Sequence, residues 1–125
     1  MKIFLSLAAF FGFMGVALGA FGAHALKNRL DVYYLDVFKT GVQYQMYHAL
    51  ALLAVALLMK IQPAESAGLL NYAGWAFTVG IIIFSGSLYI LSVAGFKFMG
   101  AITPIGGLSF LIGWAILLWY AIKKF

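Results

Sequence analysis

Cysteine is absent from the 125 residues, which excludes disulfides, iron–sulfur clusters and thiolate-bound zinc. Acidic residues are nearly absent too. The three present, Asp31, Asp36 and Glu65, stand in short charged islands between apolar runs. No run therefore carries a carboxylate that could complete a Ser-His-Asp arrangement or orient a metal-bound imidazole. We expect no catalytic residue and a non-enzymatic protein. Charged residues of either sign make up 9% of the chain and hydrophobic ones 66%, with a mean hydropathy of +1.06. That balance excludes a water-soluble domain and describes a multi-pass membrane protein. The net charge of +5 is spread over every connection instead of gathering on one face. It therefore argues against nucleic acid and for loops held against a lipid bilayer. No linker or low-complexity stretch divides the chain, so residues 1–125 read as a single membrane domain.

What is present is four long uncharged runs. Residues 3–26, between Lys2 and Lys27, rise about 36 Å as a helix, enough to cross a hydrocarbon core of about 30 Å. A cleaved signal peptide is the competing reading, since Lys2 precedes an apolar core and Ala23-His24-Ala25 fits the small-x-small rule. The length of the run and its glycines favour a permanent span. Gly12, Gly15, Gly19 and Gly22 recur at spacings of three and four, which lets a neighbouring helix approach backbone to backbone. The further spans are expected over residues 41–59, 68–93 and 98–122.

Residues 27–40 hold five of the eleven charges, yet Leu30, Tyr33, Tyr34, Val37 and Phe38 keep helical spacing. This predicts a short amphipathic helix lying in the interface between the first two spans. Thr40, with Gln43 three residues on, reads as the N-cap and capping box of the second span. In the third span Asn71, Thr78, Ser85 and Ser92 fall seven apart, with Trp75, Ile82 and Tyr89 between them. This predicts one polar face turned into the bundle, used for interhelical hydrogen bonds or, alternatively, as a solute or proton track. Pro104 predicts a bend in the fourth span, beside Thr103 and the packing glycine Gly107. The expected architecture is all-α: a four-transmembrane-helix bundle with one interfacial helix.

With four alternating spans, the end of the first, the start of the second, the end of the third and the start of the fourth share one side. His24 would sit near that surface. His48, Ser85, Ser87 and Thr103 would lie about 9–18 Å in. Tyr44 and Gln45 share a helix face with His48. These seven residues form one candidate polar or ligand cluster. The simplest reading is a neutral histidine held by Gln or Tyr hydrogen bonds. A proton relay or a quinone-type headgroup site is the second, and metal or haem ligation by His24 and His48 the third. Because only two strong ligands exist, no metal and no cofactor are expected.

Four stretches carry a resemblance: Leu18-Gly19-Ala20-Phe21-Gly22-Ala23-His24; Thr40-Gly41-Val42-Gln43-Tyr44-Gln45 with His48; Phe84-Ser85-Gly86-Ser87-Leu88-Tyr89; and Thr103-Pro104-Ile105-Gly106-Gly107 with Gly113-Trp114-Ala115. In order and spacing the chain resembles the domain-of-unknown-function 423 family, small YgdD-like inner-membrane proteins. The resemblance implies a four-helix protein of the bacterial cytoplasmic membrane. It marks His24, Gln45, His48, Ser85, Ser87, Thr103 and Pro104 as family-like positions without assigning them roles. Lys and Arg tie at four on each side of the predicted topology. The paired terminal lysines, and the basic tails of similar family members, place both termini in the cytoplasm. The leading functional expectation is an accessory or assembly subunit that pairs with itself or with a larger membrane complex. A small oligomeric transporter or channel is the alternative.

Overall fold

The computed structural model describes residues 2–124, except the side chain of Ser66. Helix α1 runs Lys2–His24, α2 Val32–Ile61, α3 Ala67–Gly80, α4 Gly86–Ala94 and α5 Met99–Lys124. A single 3₁₀ turn, Ala64–Ser66, follows α2, and a π-helical turn, Ile81–Ser85, joins α3 to α4 into one continuous rod. Four rods are long and apolar enough to cross a membrane: Lys2–His24, Val32–Ile61, Ala67–Ala94 and Met99–Lys124. Their ends fall within a few residues of the hydropathy boundaries, apart from the start of α2.

The separate interfacial helix is not observed. After α1 the chain makes only turns, with the Ala25 and Leu26 amides both bonded to the Phe21 carbonyl. Helix α2 then begins at Val32 and continues unbroken through Lys39, Thr40 and Gly41. Asp31 caps it, its carboxylate accepting from the Tyr34 amide at 2.9 Å. Thr40 is no cap: it lies inside the helix and its hydroxyl donates back to the Asp36 carbonyl. Gln43 donates to the Tyr47 hydroxyl instead of closing a capping box. The physical reason is length. Thirty residues rise about 45 Å, about 15 Å more than a hydrocarbon core. The charged, tyrosine-bearing stretch is the part of α2 that stands beyond the core.

Helices α2 and α3–α4 form the middle of the bundle, and α1 and α5 flank them. α1 packs on α2, and α5 on α3, the π turn and α4. A core of Phe4, Leu52, Val55, Leu70, Ala73 and Phe77 is closed to solvent. Gly95, at φ 71°, supplies the left-handed C-cap that ends α4. Pro104 sits inside α5, which stays helical across it.

Aromatic rings seated in glycine notches lock the helices. A Cβ at Gly74 would lie 2.5 Å from the Phe4 ring, at Gly113 2.6 Å from Phe77, and at Gly22 and Gly41 2.8 Å from Phe38 and Tyr89. Phe110 fills the notch at Gly80 in the same way. Along the α1–α2 interface Gly15 faces Met46, Gly19 faces Val42 and Gly22 faces Phe38, an antiparallel register in which side chains of α2 enter the glycine face. The expectation of backbone-to-backbone approach holds instead at Gly106, which meets the backbone of Phe84. Two expected packing glycines are not used this way. A Cβ at Gly12 would meet nothing within 4 Å, and one at Gly107 only the Phe84 ring at 3.8 Å.

Candidate functional site

The seven residues predicted as one cluster are divided among separate helix interfaces. His24 leaves the group altogether, exposed at the end of α1. Gln45 is buried between α1, α2 and α4. Its amide donates to the Phe11 carbonyl at 2.9 Å and accepts the Tyr89 hydroxyl at 2.6 Å. Gly15, one turn beyond Phe11, lies beside this bond: a Cβ there would make ordinary contact with the Gln45 amide at 3.7 Å, and the tight neighbour is the Met46 side chain. Ser85, in the π turn, donates across to the Gly41 carbonyl of α2 at 2.7 Å, beside the notch that Tyr89 occupies. Ser87 and Thr103 pair hydroxyl to hydroxyl at 2.5 Å, joining α4 to α5, and Thr103 also donates to the Met99 carbonyl. That last bond lies one residue before the carbonyl that Pro104 frees.

His48 faces the other way, into the α2–α5 interface. Its ring stacks on Phe110 with centroids 3.6 Å apart and planes 9° from parallel. Trp114 donates its indole N–H to His48 Nε2 at 3.1 Å, and His48 Nδ1 meets the Tyr44 carbonyl at 2.7 Å. An indole N–H can only donate and a carbonyl can only accept, so the ring is the neutral tautomer with its proton on Nδ1. Both nitrogens are thereby committed. Tyr44 contributes its carbonyl to this bond, and its ring packs on Phe84 with centroids 4.8 Å apart.

Outside His48 the α2–α5 interface opens into a groove of about 550 Å³. Tyr44, Tyr47, His48 and Leu50 of α2 form one wall, Gly107, Phe110, Leu111 and Trp114 of α5 the other, and Phe84 the floor. No charged residue lines it. His48 is nine residues past Lys39 and twelve before Lys60, placing it about 14 Å and about 18 Å from the charged ends of the span, near the bilayer centre.

The predicted polar face of α3–α4 is present in part. Thr78, Ser85 and Ser92 are buried while Asn71, Trp75 and Ile82 are exposed. Thr78 and Ser92 bond to carbonyls of their own rod, at Gly74 and Tyr89, whereas Ser85 and Tyr89 cross to α2. Among the described residues no three His, Cys, Asp or Glu side chains gather closely enough to hold a metal ion. Sequence reading missed Trp114 and Phe110 as partners of His48, and no local signal ties residues 66 and 62 positions away to it. Tyr89 was visible in the heptad pattern, but its bond to Gln45 was not.

A family model described as "Protein of unknown function (DUF423)" matches residues 18–107 of the chain. The chain is 48% identical over 123 residues to the UPF0382 membrane protein YwdK of Bacillus subtilis, with 98% of each covered. It is 45% identical over 117 residues to the UPF0382 membrane protein SSP2132 of Staphylococcus saprophyticus, with 94% of each covered. A UPF0382 membrane protein of Staphylococcus epidermidis is 42% identical over 123 residues, again with 98% of each covered. No solved structure matches.

Proposed function

The chain belongs to the DUF423 family, and its relatives above are named UPF0382 membrane proteins; we propose that it is a non-enzymatic accessory or assembly subunit. It would work in the bacterial cytoplasmic membrane with both termini on the cytoplasmic side. The observation that carries this reading is how the polar groups inside the spans are used. Gln45, His48, Ser85, Ser87 and Thr103 each make a hydrogen bond that crosses to a carbonyl or a side chain of another helix. Hydroxyl and amide groups so used hold helices together and offer no activated nucleophile.

The outer surface supports the same reading. Only 22% of the apolar stretch of α1 is buried, and the same share of α5, against 39% for α2 and 50% for the α3–α4 rod. Phe10, Phe13, Val16 and Phe21 stand exposed along α1, and the proposal assigns this apolar aromatic face to another helix within lipid. A photoreactive residue at Phe13 tests it in native membranes. A crosslinked adduct of one defined mass, absent when the probe is moved to Val42, the α2 position that faces Gly19 of α1, is expected. Adducts to lipid alone, together with a strictly monomeric particle by native mass spectrometry, would overturn the proposal.

A further inference from the structure

We infer that the α2–α5 groove binds an uncharged, lipid-soluble planar ring carrying a carbonyl oxygen, a molecule of the tailed-quinone class. This does not depend on the assembly reading. The groove's volume of about 550 Å³ lies within the range of small-molecule sites, roughly 300–1,000 Å³. Its place near the bilayer centre admits only what dissolves in lipid, and its uncharged walls match an uncharged occupant. The lining is rich in aromatic rings, Tyr44, Phe110 and Trp114 among them, which favour a flat ring over a flexible acyl chain through offset or edge stacking.

The groove also offers a hydrogen-bond donor. Tyr47 lines it, and the Tyr47 hydroxyl oxygen accepts from Gln43 at 2.6 Å. A phenol that accepts at its oxygen keeps its own proton to give, and the Gln43 bond polarises it further. That proton suits a carbonyl oxygen. The His48 and Trp114 nitrogens, by contrast, are spent on each other and on the Tyr44 carbonyl. They hold the wall in place.

An independent feature is the Gly106–Gly107 pair. Gly106 is required because a Cβ there would run into the backbone of Phe84, but at Gly107 it would make only ordinary contact with the Phe84 ring at 3.8 Å. Glycine weakens a helix relative to alanine, and helix packing gives Gly107 no compensating use. The missing side chain leaves open a space that faces the groove.

The test uses the full chain in lipid nanodiscs, with Trp75→Phe and Trp119→Phe leaving Trp114 as the one tryptophan of the three. A decyl-tailed benzoquinone is the probe and decanol the tail-only control. Saturable quenching of Trp114 is expected for the quinone and not for decanol. Gly107→Leu should weaken it at least tenfold and Tyr47→Phe several-fold. Gly86→Leu, in the separate groove of about 190 Å³ between α1 and α4, should leave it unchanged. Leu111→Phe fills the same space from the outer wall and provides a second variant if Gly107→Leu fails to fold. Quenching that rises linearly with probe and ignores both filling variants is collisional and overturns the proposal. Equal competition by decanol assigns the groove to acyl chains and overturns it too.

Discussion

Replacing each glycine by alanine, one at a time, should sort the set by what the added methyl would meet. Gly106→Ala is the extreme case, because the atoms in the way are the backbone N and Cα of Phe84, which cannot rotate aside. We expect a cost near the top of the overpacking range, about 3 kcal/mol. Gly74→Ala and Gly113→Ala push a Cβ to 2.5 Å and 2.6 Å from the rings of Phe4 and Phe77, both fully or almost fully closed in. These should cost about 2 kcal/mol each, since a packed ring can pivot only slightly. Gly15→Ala meets the thioether of Met46, a side chain with enough rotamers to move, and should cost less than about 1 kcal/mol. Gly12→Ala and Gly86→Ala meet nothing within 4 Å and should be neutral, or stabilising by up to about 1 kcal/mol through helix propensity. The assay is reversible unfolding in mixed micelles at increasing SDS fraction, followed by circular dichroism. If Gly12→Ala destabilised as much as Gly74→Ala and Gly113→Ala, the aromatic-in-notch account of the packing would be refuted.

Three further outcomes follow from single contacts. Asp31→Ala should cost about 1 kcal/mol as a lost N-cap, whereas Thr40→Ala, inside α2, should stay within about 0.5 kcal/mol in the same assay. A double-mutant cycle of Gln45→Leu and Tyr89→Phe should give a coupling of about 0.6 kcal/mol, with about 1.7 kcal/mol as the ceiling for one interhelical bond; zero coupling would remove that bond from the account. Intact-mass measurement of the membrane-purified protein should retain α1, whose Phe4 fills the notch at Gly74. A mass lacking the first 23 to 25 residues would show that the span is cleaved.

Hydropathy alone located the spans because a bilayer demands a run of a certain length whatever its partners are. The start of α2 was not legible for the complementary reason: charge marks where the hydrocarbon ends, not where the helix ends. Asp31 could have been read as the cap, but Thr40 with Gln43 offered an equally good local pattern, and only tertiary structure decides between them. Counting residues along each span gives depth, and by depth alone Gln45, His48, Ser85, Ser87 and Thr103 belong together. It says nothing of azimuth. Gln45 and His48, three residues apart, turn to different neighbours, one toward α1 and α4 and the other toward α5. The glycines were legible as packing residues, but a glycine pattern does not say whether a backbone or a ring will enter. The π turn at Ile81–Ser85, which carries Ser85 to the Gly41 carbonyl, has no local signature in its run of isoleucines.

The central claim, that the polar groups inside the spans are committed to holding the bundle, meets its most direct test at His48. Solid-state ¹⁵N NMR of histidine-labelled protein in lipid reads the protonation of each ring nitrogen, and exposed His24 supplies the internal comparison. The account predicts a protonated Nδ1 and an unprotonated, hydrogen-bonded Nε2 for His48, with the Nε2 resonance shifting in Trp114→Phe. A charged ring, or a proton on Nε2 that ignores the loss of Trp114, would contradict it.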